Sequence, residues 1–217
     1  MQAFTDLATA AYCPRKLYYK RTRDDGDPPE SVAAIRNLAF RYDELLGSGA
    51  ELDGEPIATS PTTYRSNLGA AKARLDRWGG LVDPSDVRVF LRGKDVHGVA
   101  HKLLSEPAVP VIVSPGEPPK RGVWEPHSVW ATAAAKALSW EREESIDRAY
   151  VEYPAYGVVR KIRLTTRRKA DYRKALRTAA SIDGPPPRLR NDTRCDSCEY
   201  REICGTETRS LRSRLSL

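Results

Sequence analysis

The N-terminal part of the chain carries short apolar stripes separated by turn residues, a pattern typical of helices. Ile35, Leu38, Tyr42 and Leu45 recur at helical spacing, which indicates a helix face that packs on a core. Clusters of Asp, Gly and Pro interrupt the stripes, and Gly79 with Gly80 would end the last one. The pattern predicts helices over residues 7–11, 15–21, 30–46 and 63–78, with a loop over 47–62.

From residue 86 onward the pattern changes to short runs of apolar and β-branched residues, which favour strands. Residues 87–91, 96–104 and 109–113 predict a three-stranded meander. A helix over 126–144 is apolar around most of its circumference, so we expect it to pack on the sheet. Two further strands are predicted over 149–153 and 158–164, and an exposed basic helix over 166–180. This order predicts an α/β fold in which helices surround a β-β-β-α-β core.

Three regions follow from this pattern, and we expect them to form one compact unit. A chain of 217 residues has room for one domain with added elements. We assign residues 1–80 to an N-terminal helical region, 86–182 to the α/β core and 183–217 to a C-terminal segment that holds cysteines and a basic tail.

Composition and charge narrow the class of protein. Hydrophobic residues make up 40% of the chain, and no apolar run is long enough to span a bilayer. The first residues lack the basic and apolar regions of a secretory signal, so we expect a cytoplasmic protein with reduced cysteines. The net charge of +7, carried mostly by Arg, favours polyanionic partners such as nucleic acid.

The four cysteines fall in two places. Cys13 stands alone near the start, whereas Cys195, Cys198 and Cys204 lie together near the end. Four thiolates that converge from both ends could hold Zn²⁺ or an iron–sulfur cluster, and the unpaired fourth ligand favours the cluster. A disulfide set and inert buried cysteines are the other interpretations.

The cysteine pattern resembles that of the RecB-like nucleases. The resemblance rests on three features of the sequence. They are the N-terminal motif Cys13-Pro14-Arg15-Lys16-Leu17-Tyr18-Tyr19, the C-terminal motif Cys195-x2-Cys198-x5-Cys204 and the α/β core predicted between them. The chain is most similar to the CRISPR-associated RecB-like exonucleases, the fourth numbered Cas family. The resemblance implies a restriction-endonuclease-like PD-(D/E)XK core of α-β-β-β-α-β order. It further implies a [4Fe-4S] cluster on the four cysteines, and DNA and spacer-integration proteins as partners.

The catalytic residues that this resemblance implies are not matched. Nucleases of this type hold Mg²⁺ or Mn²⁺ with an Asp on one strand and a Glu-x-Lys on the next. The Asp position corresponds to His101, and the Glu-x-Lys strand corresponds to Val111, Ile112 and Val113. The helical His of the family corresponds to Tyr42. We therefore expect a degenerate hydrolytic centre.

Relocated ligands are the alternative that would preserve activity. Glu117 and Lys120 follow the third strand and supply the right residue types at another spacing, and Glu106 is a further acid nearby. His97 and His101 lie four apart on one strand and share a face. His101, Glu117 and Lys120 are thus the candidate catalytic residues of an active, Mg²⁺- or Mn²⁺-dependent exonuclease.

The second predicted helix alternates cations with aromatic rings, a combination that binds phosphates and stacks on unpaired bases. Its candidate nucleic-acid-binding residues are Arg15, Lys16, Tyr18, Lys20 and Arg21. The basic helix over 166–180 could extend this surface. Trp124, Trp130 and Trp140 are predicted to be core residues.

The sequence thus predicts an iron–sulfur DNA-binding protein with a degenerate nuclease site, an accessory of CRISPR adaptation if the resemblance extends to its partners. An active single-strand exonuclease with relocated ligands is the first alternative. A structural scaffold that binds a protein partner is the second.

Overall fold

A computed structural model describes residues 1–23, 29–189 and 193–204 of the chain. Within these ranges the protein has an α/β fold with a mixed sheet of six strands and eight α-helices. No helix in the described ranges is both long enough and apolar enough to cross a membrane. The basic tail predicted beyond residue 204 lies outside the described residues.

Six strands form the sheet. Their bounds are β1 Gln2–Ala3, β2 Asp86–Arg92, β3 Val96–Leu104, β4 Val109–Val113, β5 Arg148–Tyr153 and β6 Val158–Arg163. The spatial order is β1-β3-β4-β5-β6, and β2 pairs with β3. β2, β3 and β4 form the predicted antiparallel meander, whereas β4 and β5 are parallel and are joined through a helix.

The helices lie on both faces of the sheet. Their bounds are α1 Phe4–Tyr12, α2 Pro14–Thr22, α3 Glu30–Asn37, α4 Tyr42–Leu46, α5 Pro61–Arg74, α6 Trp78–Val82, α7 Glu125–Arg142 and α8 Thr166–Ala180. One face packs on α1, α7 and α8. The other packs on the region from α3 to α6. Two apolar clusters, one on each face, therefore stabilise a single sheet.

Helix α1 packs closely against the backbone of strand β3. Gly98 of β3 has a φ of +153°, and a Cβ atom at this position would lie 2.6 Å from the Phe4 ring. Phe4 itself is almost fully buried. Because only glycine leaves room for this ring, Gly98 fixes where the first helix meets β3.

The predicted helix over 30–46 is wrong, because the structure breaks it into two. α3 ends at Asn37, a 3-10 turn covers Leu38–Phe40, and α4 begins at Tyr42. The carbonyl of Ala39 accepts a hydrogen bond of 2.5 Å from the Lys102 ammonium. That oxygen is bound to the sheet rather than to a helical N–H, so a tertiary contact accompanies the break.

Two further predictions of elements need correction. The helix over 63–78 begins earlier, with Ser60 as its cap and Pro61 in its first turn, and it ends at Arg74. Gly79 and Gly80 do not end it, since they lie inside α6. Leu75 and the α6 residue Trp78 instead pack in the apolar cluster on the second face of the sheet.

The short strand β1 was not predicted, because two residues are too few to show an alternation of apolar and polar positions.

A buried ion pair links the sheet to the helices on the second face. The Lys102 ammonium lies 3.0 Å from the Glu152 carboxylate, and both side chains are fully buried. Lys102 also donates to the carbonyls of Ala39 and Leu81, and the Tyr42 hydroxyl donates to Glu152. Burial raises the pKa of Glu152 and lowers that of Lys102, whereas their mutual attraction opposes both shifts.

Glu152→Gln should destabilise the fold strongly, because it leaves the buried Lys102 ammonium without a counter-charge. We expect a loss of about 3–5 kcal/mol in the free energy of unfolding, measured by urea titration. Lys161→Met is the matched control, since it breaks the exposed ion pair between Lys161 and Asp76 and should cost less than about 1 kcal/mol. Equal costs for the two variants would contradict the importance of the buried pair.

Candidate nucleic-acid site beside the cysteines

Cys13 lies at the joint between α1 and α2. It has an extended backbone, and its N–H donates to the carbonyl of Thr9 at 2.8 Å. Pro14 occupies the first turn of α2, as predicted, because that position needs no N–H donor. The joint therefore presents Cys13 between two helices rather than within one.

The other three cysteines lie in a chain of tight turns. The Cys198 N–H donates to the carbonyl of Cys195 at 3.3 Å, and the Cys204 N–H donates to the carbonyl of Tyr200 at 2.8 Å. All four cysteines lie in the described ranges, and each is half-buried and outside any disulfide.

Direct contacts join the two cysteine-bearing segments. The Tyr12 hydroxyl donates to the carbonyl of Arg194 at 3.2 Å, and the Arg194 guanidinium donates to the carbonyl of Tyr12 at 2.6 Å. Arg15 donates to the carbonyl of Cys204, and the Tyr19 and Tyr200 rings stack with centroids 5.9 Å apart. The residues next to Cys13 therefore pack on the residues around Cys195 and Cys204.

The four cysteine thiols are ligands of the chemical type that a soft metal centre requires. Four cysteines on two contacting segments, none of them in a disulfide, match the ligand count of a zinc site or an iron–sulfur cluster. As placed, however, no three His, Cys, Asp or Glu side chains within residues 1–23, 29–189 and 193–204 are grouped as metal ligands. Convergence of the thiols on one centre therefore stays a prediction.

A cleft opens beside these contacts, between α1, the start of α7 and the cysteine segment. Its volume is about 670 Å³. Aromatic side chains and cations line it, namely Tyr12, Lys16, Trp124, Trp130 and Arg194. Trp124 is half exposed, and its indole N–H donates to the carbonyl of Glu117 at 2.7 Å. The cleft thus combines an exposed indole ring, fixed by a hydrogen bond, with the positively charged side chains of Lys16 and Arg194.

The cations of α2 are engaged in contacts within the protein. Lys16 lies 3.2 Å from the Glu199 carboxylate, and Arg15 donates to the carbonyl of Pro186 at 2.8 Å. Lys20 and Arg21 both bind Asp6. Of the five candidate residues of this helix, only Lys16 lines the cleft.

Tyr18 completes the predicted set and is half-buried. Its ring meets the neighbouring Tyr19 ring edge to face, with centroids 5.3 Å apart. The aromatic residues of α2 therefore support the contact between the two ends as well as offering ring faces. Direct contact with nucleic acid stays a prediction for each member of the set.

The prediction that the tryptophans are core residues is wrong for two of the three. Trp124 is 50% exposed and Trp140 is 59% exposed. Trp130 is half-buried and packs against the apolar cluster on the α7 face. Trp140 is exposed because it lies on the outer side of α7. Trp124 is exposed because it precedes the first turn of that helix.

His101 and the strand predicted to carry Glu-x-Lys are adjacent in the sheet, yet they face an apolar environment. The Val113 N–H donates to Nδ1 of His101 at 3.2 Å, and the His101 ring lies 5.5 Å from that of Trp130. Val111, Ile112 and Val113 are fully buried. These contacts leave His101 in a hydrogen-bonded, packed position.

The relocated-ligand candidates do not form a metal-ligand group in the described residues. Glu117 and Lys120 are exposed in the loop between β4 and α7. No ion pair joins them in the described part of the chain. His97 packs on Phe90 with ring centroids 5.9 Å apart, and Glu106 lies in the turn between β3 and β4.

Sequence reasoning missed a hydrogen-bonded chain at the inner wall of the cleft. His127 lines the cleft, its Nε2 lies 3.3 Å from Oγ of Ser114, and its Nδ1 lies 2.9 Å from the Tyr153 hydroxyl. Burial lowers the pKa of His127 to about 4, so the ring is neutral at pH 7. The available signal was the position of Ser114 directly after a buried strand.

Lys102 and Glu152 were also missed. Lys102 precedes Leu103 and Leu104 in β3, and Glu152 lies between Val151 and Tyr153 in β5. A charged residue in such an apolar stretch is rarely buried without a partner. Both are fully buried, and neither lines the cleft.

Comparison with protein-family models and with curated proteins finds no match to this chain.

Because His101 and His127 are neutral in the folded protein, we expect the protein to lose stability in mild acid. Burial first, and then the charges of Arg36, Arg88 and Lys102, lower the pKa of His101 to about 3. Since an unfolded histidine has a pKa of about 6.5, the unfolded state binds the proton first as the pH falls below that value. Stability is therefore full above pH 6.5 and decreases as the pH falls toward 3.

Urea unfolding at pH 7 and pH 5 measures this effect. We expect His101 to account for about 1–2 kcal/mol of the stability lost between these pH values. His101→Gln should remove that part of the loss, because the amide oxygen can still accept from Val113 and does not titrate. An equal loss in the variant and the parent protein would contradict the assignment to His101.

Proposed function

We propose that this protein binds single-stranded DNA or DNA ends through the cleft, and that its hydrolytic centre is degenerate. The observation that carries the proposal is the exposed Trp124 indole in a cleft that also holds Tyr12 and Lys16. Exposed aromatic rings beside cations bind unpaired nucleotides, because bases stack on the rings while cations neutralise phosphates.

Electrostatics supports a polyanionic ligand. The chain has a net charge of +7, and Lys16 and Arg194 both lie over the Tyr12 ring, at 5.6 and 5.4 Å from its centroid. Glu125 is the one acid that lines the cleft in the described chain, and the Glu199 carboxylate lies 3.2 Å from the Lys16 ammonium. Arg194 adds a second cation to the lining. A phosphate backbone would therefore meet an attractive potential at this surface.

The four cysteines hold a [4Fe-4S] cluster in this proposal, with zinc as the alternative. Support comes from the absence of a disulfide at the four described cysteines and from the contacts that pack Tyr12 and Arg15 on the cysteine segment. When bound, the cluster supplies a covalent link between the two ends. Tyr12 and Arg194, each adjacent to a cysteine, then hold one wall of the cleft.

The degenerate centre rests on the chemistry of the matched positions. His101 carries no negative charge, and Val111 and Val113 offer no ligand atoms, so a hard cation such as Mg²⁺ has no adequate carboxylate pair. The order of helix, three-stranded meander, α7 and β5 supports a restriction-endonuclease-like core as the finer description of the fold.

Anaerobically purified protein should contain the cluster. We expect a brown solution with absorbance at about 400 nm and about four irons per chain. Cys198→Ser should remove the colour and lower the melting temperature, because the two ends lose their link. Ser197→Ala is the matched control, since it changes the neighbouring residue and leaves every thiol in place. Colourless protein with one zinc per chain would support the zinc alternative instead.

Replacing the exposed indole should weaken binding to unpaired DNA. We expect Trp124→Ala to reduce affinity for a labelled single-stranded oligonucleotide by about 1–3 kcal/mol, measured by fluorescence anisotropy. Trp140→Ala is the matched control, because Trp140 is comparably exposed but lies on another surface of α7. Equal affinities for the two variants would contradict binding in the cleft.

The same oligonucleotide tests the two alternatives. It should remain intact in Mg²⁺ or Mn²⁺, since the carboxylate pair is missing. Metal-dependent degradation that Glu117→Ala abolishes would establish relocated ligands and an active exonuclease. No binding of the parent protein even at low salt would favour a scaffold that acts through a protein partner.

A further inference from the structure

Helix α8 carries an exposed row of cations that the cleft does not use. Its exposed basic residues are Arg167, Lys169, Arg173, Lys174 and Arg177. The opposite side of the helix packs on the apolar cluster through Tyr172, Ala175 and Ala179. The fold therefore presents the cations together on one outward face, about 15 Å long at 1.5 Å per residue.

The cations of this row have no carboxylate partners in the described part of the chain. None of the five makes an ion pair with a carboxylate among residues 1–23, 29–189 and 193–204. Asp171 is the one acid of the helix, and it too makes no ion pair there. Elsewhere on the surface, Lys72, Arg148 and Lys161 are paired with Asp43, Asp147 and Asp76. Other exposed cations of the described chain are unpaired as well, so the distinguishing feature of α8 is that five cations share one face.

The placement of the charges opposes the stability of the helix. Arg167, Arg168 and Lys169 lie in the first turns, and no acid is found there, although the positive end of the helix dipole favours acids. Lys169 and Arg173, and again Arg173 and Arg177, are like charges four residues apart, which repel on a helix surface. Asp171, four residues after Arg167 and three before Lys174, offsets only part of this repulsion. A local rule that is broken with so little compensation is typical of a functional surface.

Five exposed cations on one helix face favour a ligand that carries a row of negative charges. We propose that this face of α8 binds the phosphate backbone of double-stranded nucleic acid. A row of exposed cations neutralises phosphates without reading bases. The face exposes no aromatic ring, since Tyr172 is buried, so it offers nothing on which unpaired bases could stack. A duplex, whose bases are already stacked, suits such a surface.

One neighbouring cation is excluded from this surface. Arg168 turns inward, where its Nε donates to Oγ of Ser128 at 3.1 Å and its Nη1 donates to the carbonyl of Arg163 at 3.0 Å. It links α8 to α7 and to the end of β6. The test therefore leaves Arg168 unchanged, so that the helix remains attached.

The experiment measures how the affinity for a 20-bp DNA duplex depends on salt. The test variant is Lys169→Gln/Arg173→Gln/Arg177→Gln. The matched control is Lys72→Gln/Arg148→Gln/Lys161→Gln, which removes the same charge from cations that are already paired. We expect the test variant to bind at least about tenfold more weakly at 50 mM salt, with a log–log slope shallower by about 2–3. The control should stay within about twofold of the parent protein.

Folding and alternative ligands are checked in the same samples. The test variant should melt at the same or a higher temperature in low salt, since it removes repulsion within α8. Equal effects of the test and control variants would overturn the proposal, because they would show dependence on net charge alone. Unchanged duplex binding with lost binding to vesicles of acidic phospholipid would overturn it too.

This inference does not depend on the cleft. Trp124→Ala should leave the salt dependence of duplex binding unchanged, because Trp124 belongs to the surface for unpaired bases. If the cleft bound no single-stranded DNA, a shallower duplex slope in the α8 variant would still support the second surface.

Discussion

The fully buried ammonium of Lys102 is the constraint around which the second face of the sheet is arranged. It bonds Glu152 two strands away and the carbonyls of Ala39 and Leu81 in the helical region. An isolated charge in this position would carry a large desolvation cost, so each of these partners is needed. The interruption of the helix at Leu38 and the approach of α6 to the sheet both place a carbonyl oxygen at this ammonium.

The first face of the sheet has a different character and leads to the proposed function. Small alanine side chains let α7 lie close to the sheet, and α1 packs on both α7 and β3. Where α1 ends, Tyr12 meets the cysteine segment, and the space beside this contact is the cleft. The site therefore forms where a core helix, an N-terminal helix and a distant turn segment meet, and none of the three contains it alone.

Local pattern alone could predict the strands β3 and β4 and the helix α8, whose observed bounds agree with the expected ones. Their apolar runs and periodicity arise from neighbouring residues. The break between α3 and α4 could not be predicted in this way, because it accompanies a bond from Lys102 to Ala39, far apart in sequence. The same limit applies to the cleft, where His127 meets Ser114 and Tyr153 only after the sheet has formed.

The bond between the Tyr12 hydroxyl and the carbonyl of Arg194 spans 182 residues of sequence. Contacts of such separation form late and slow folding, since a long chain segment must first be ordered. During synthesis, the helical pair α1 and α2 leaves the ribosome long before the segment that covers its rings. Tyr12 and Tyr19 therefore lack this cover on the nascent chain, and the cleft acquires the wall that contains Arg194 only after the cysteine segment has been translated.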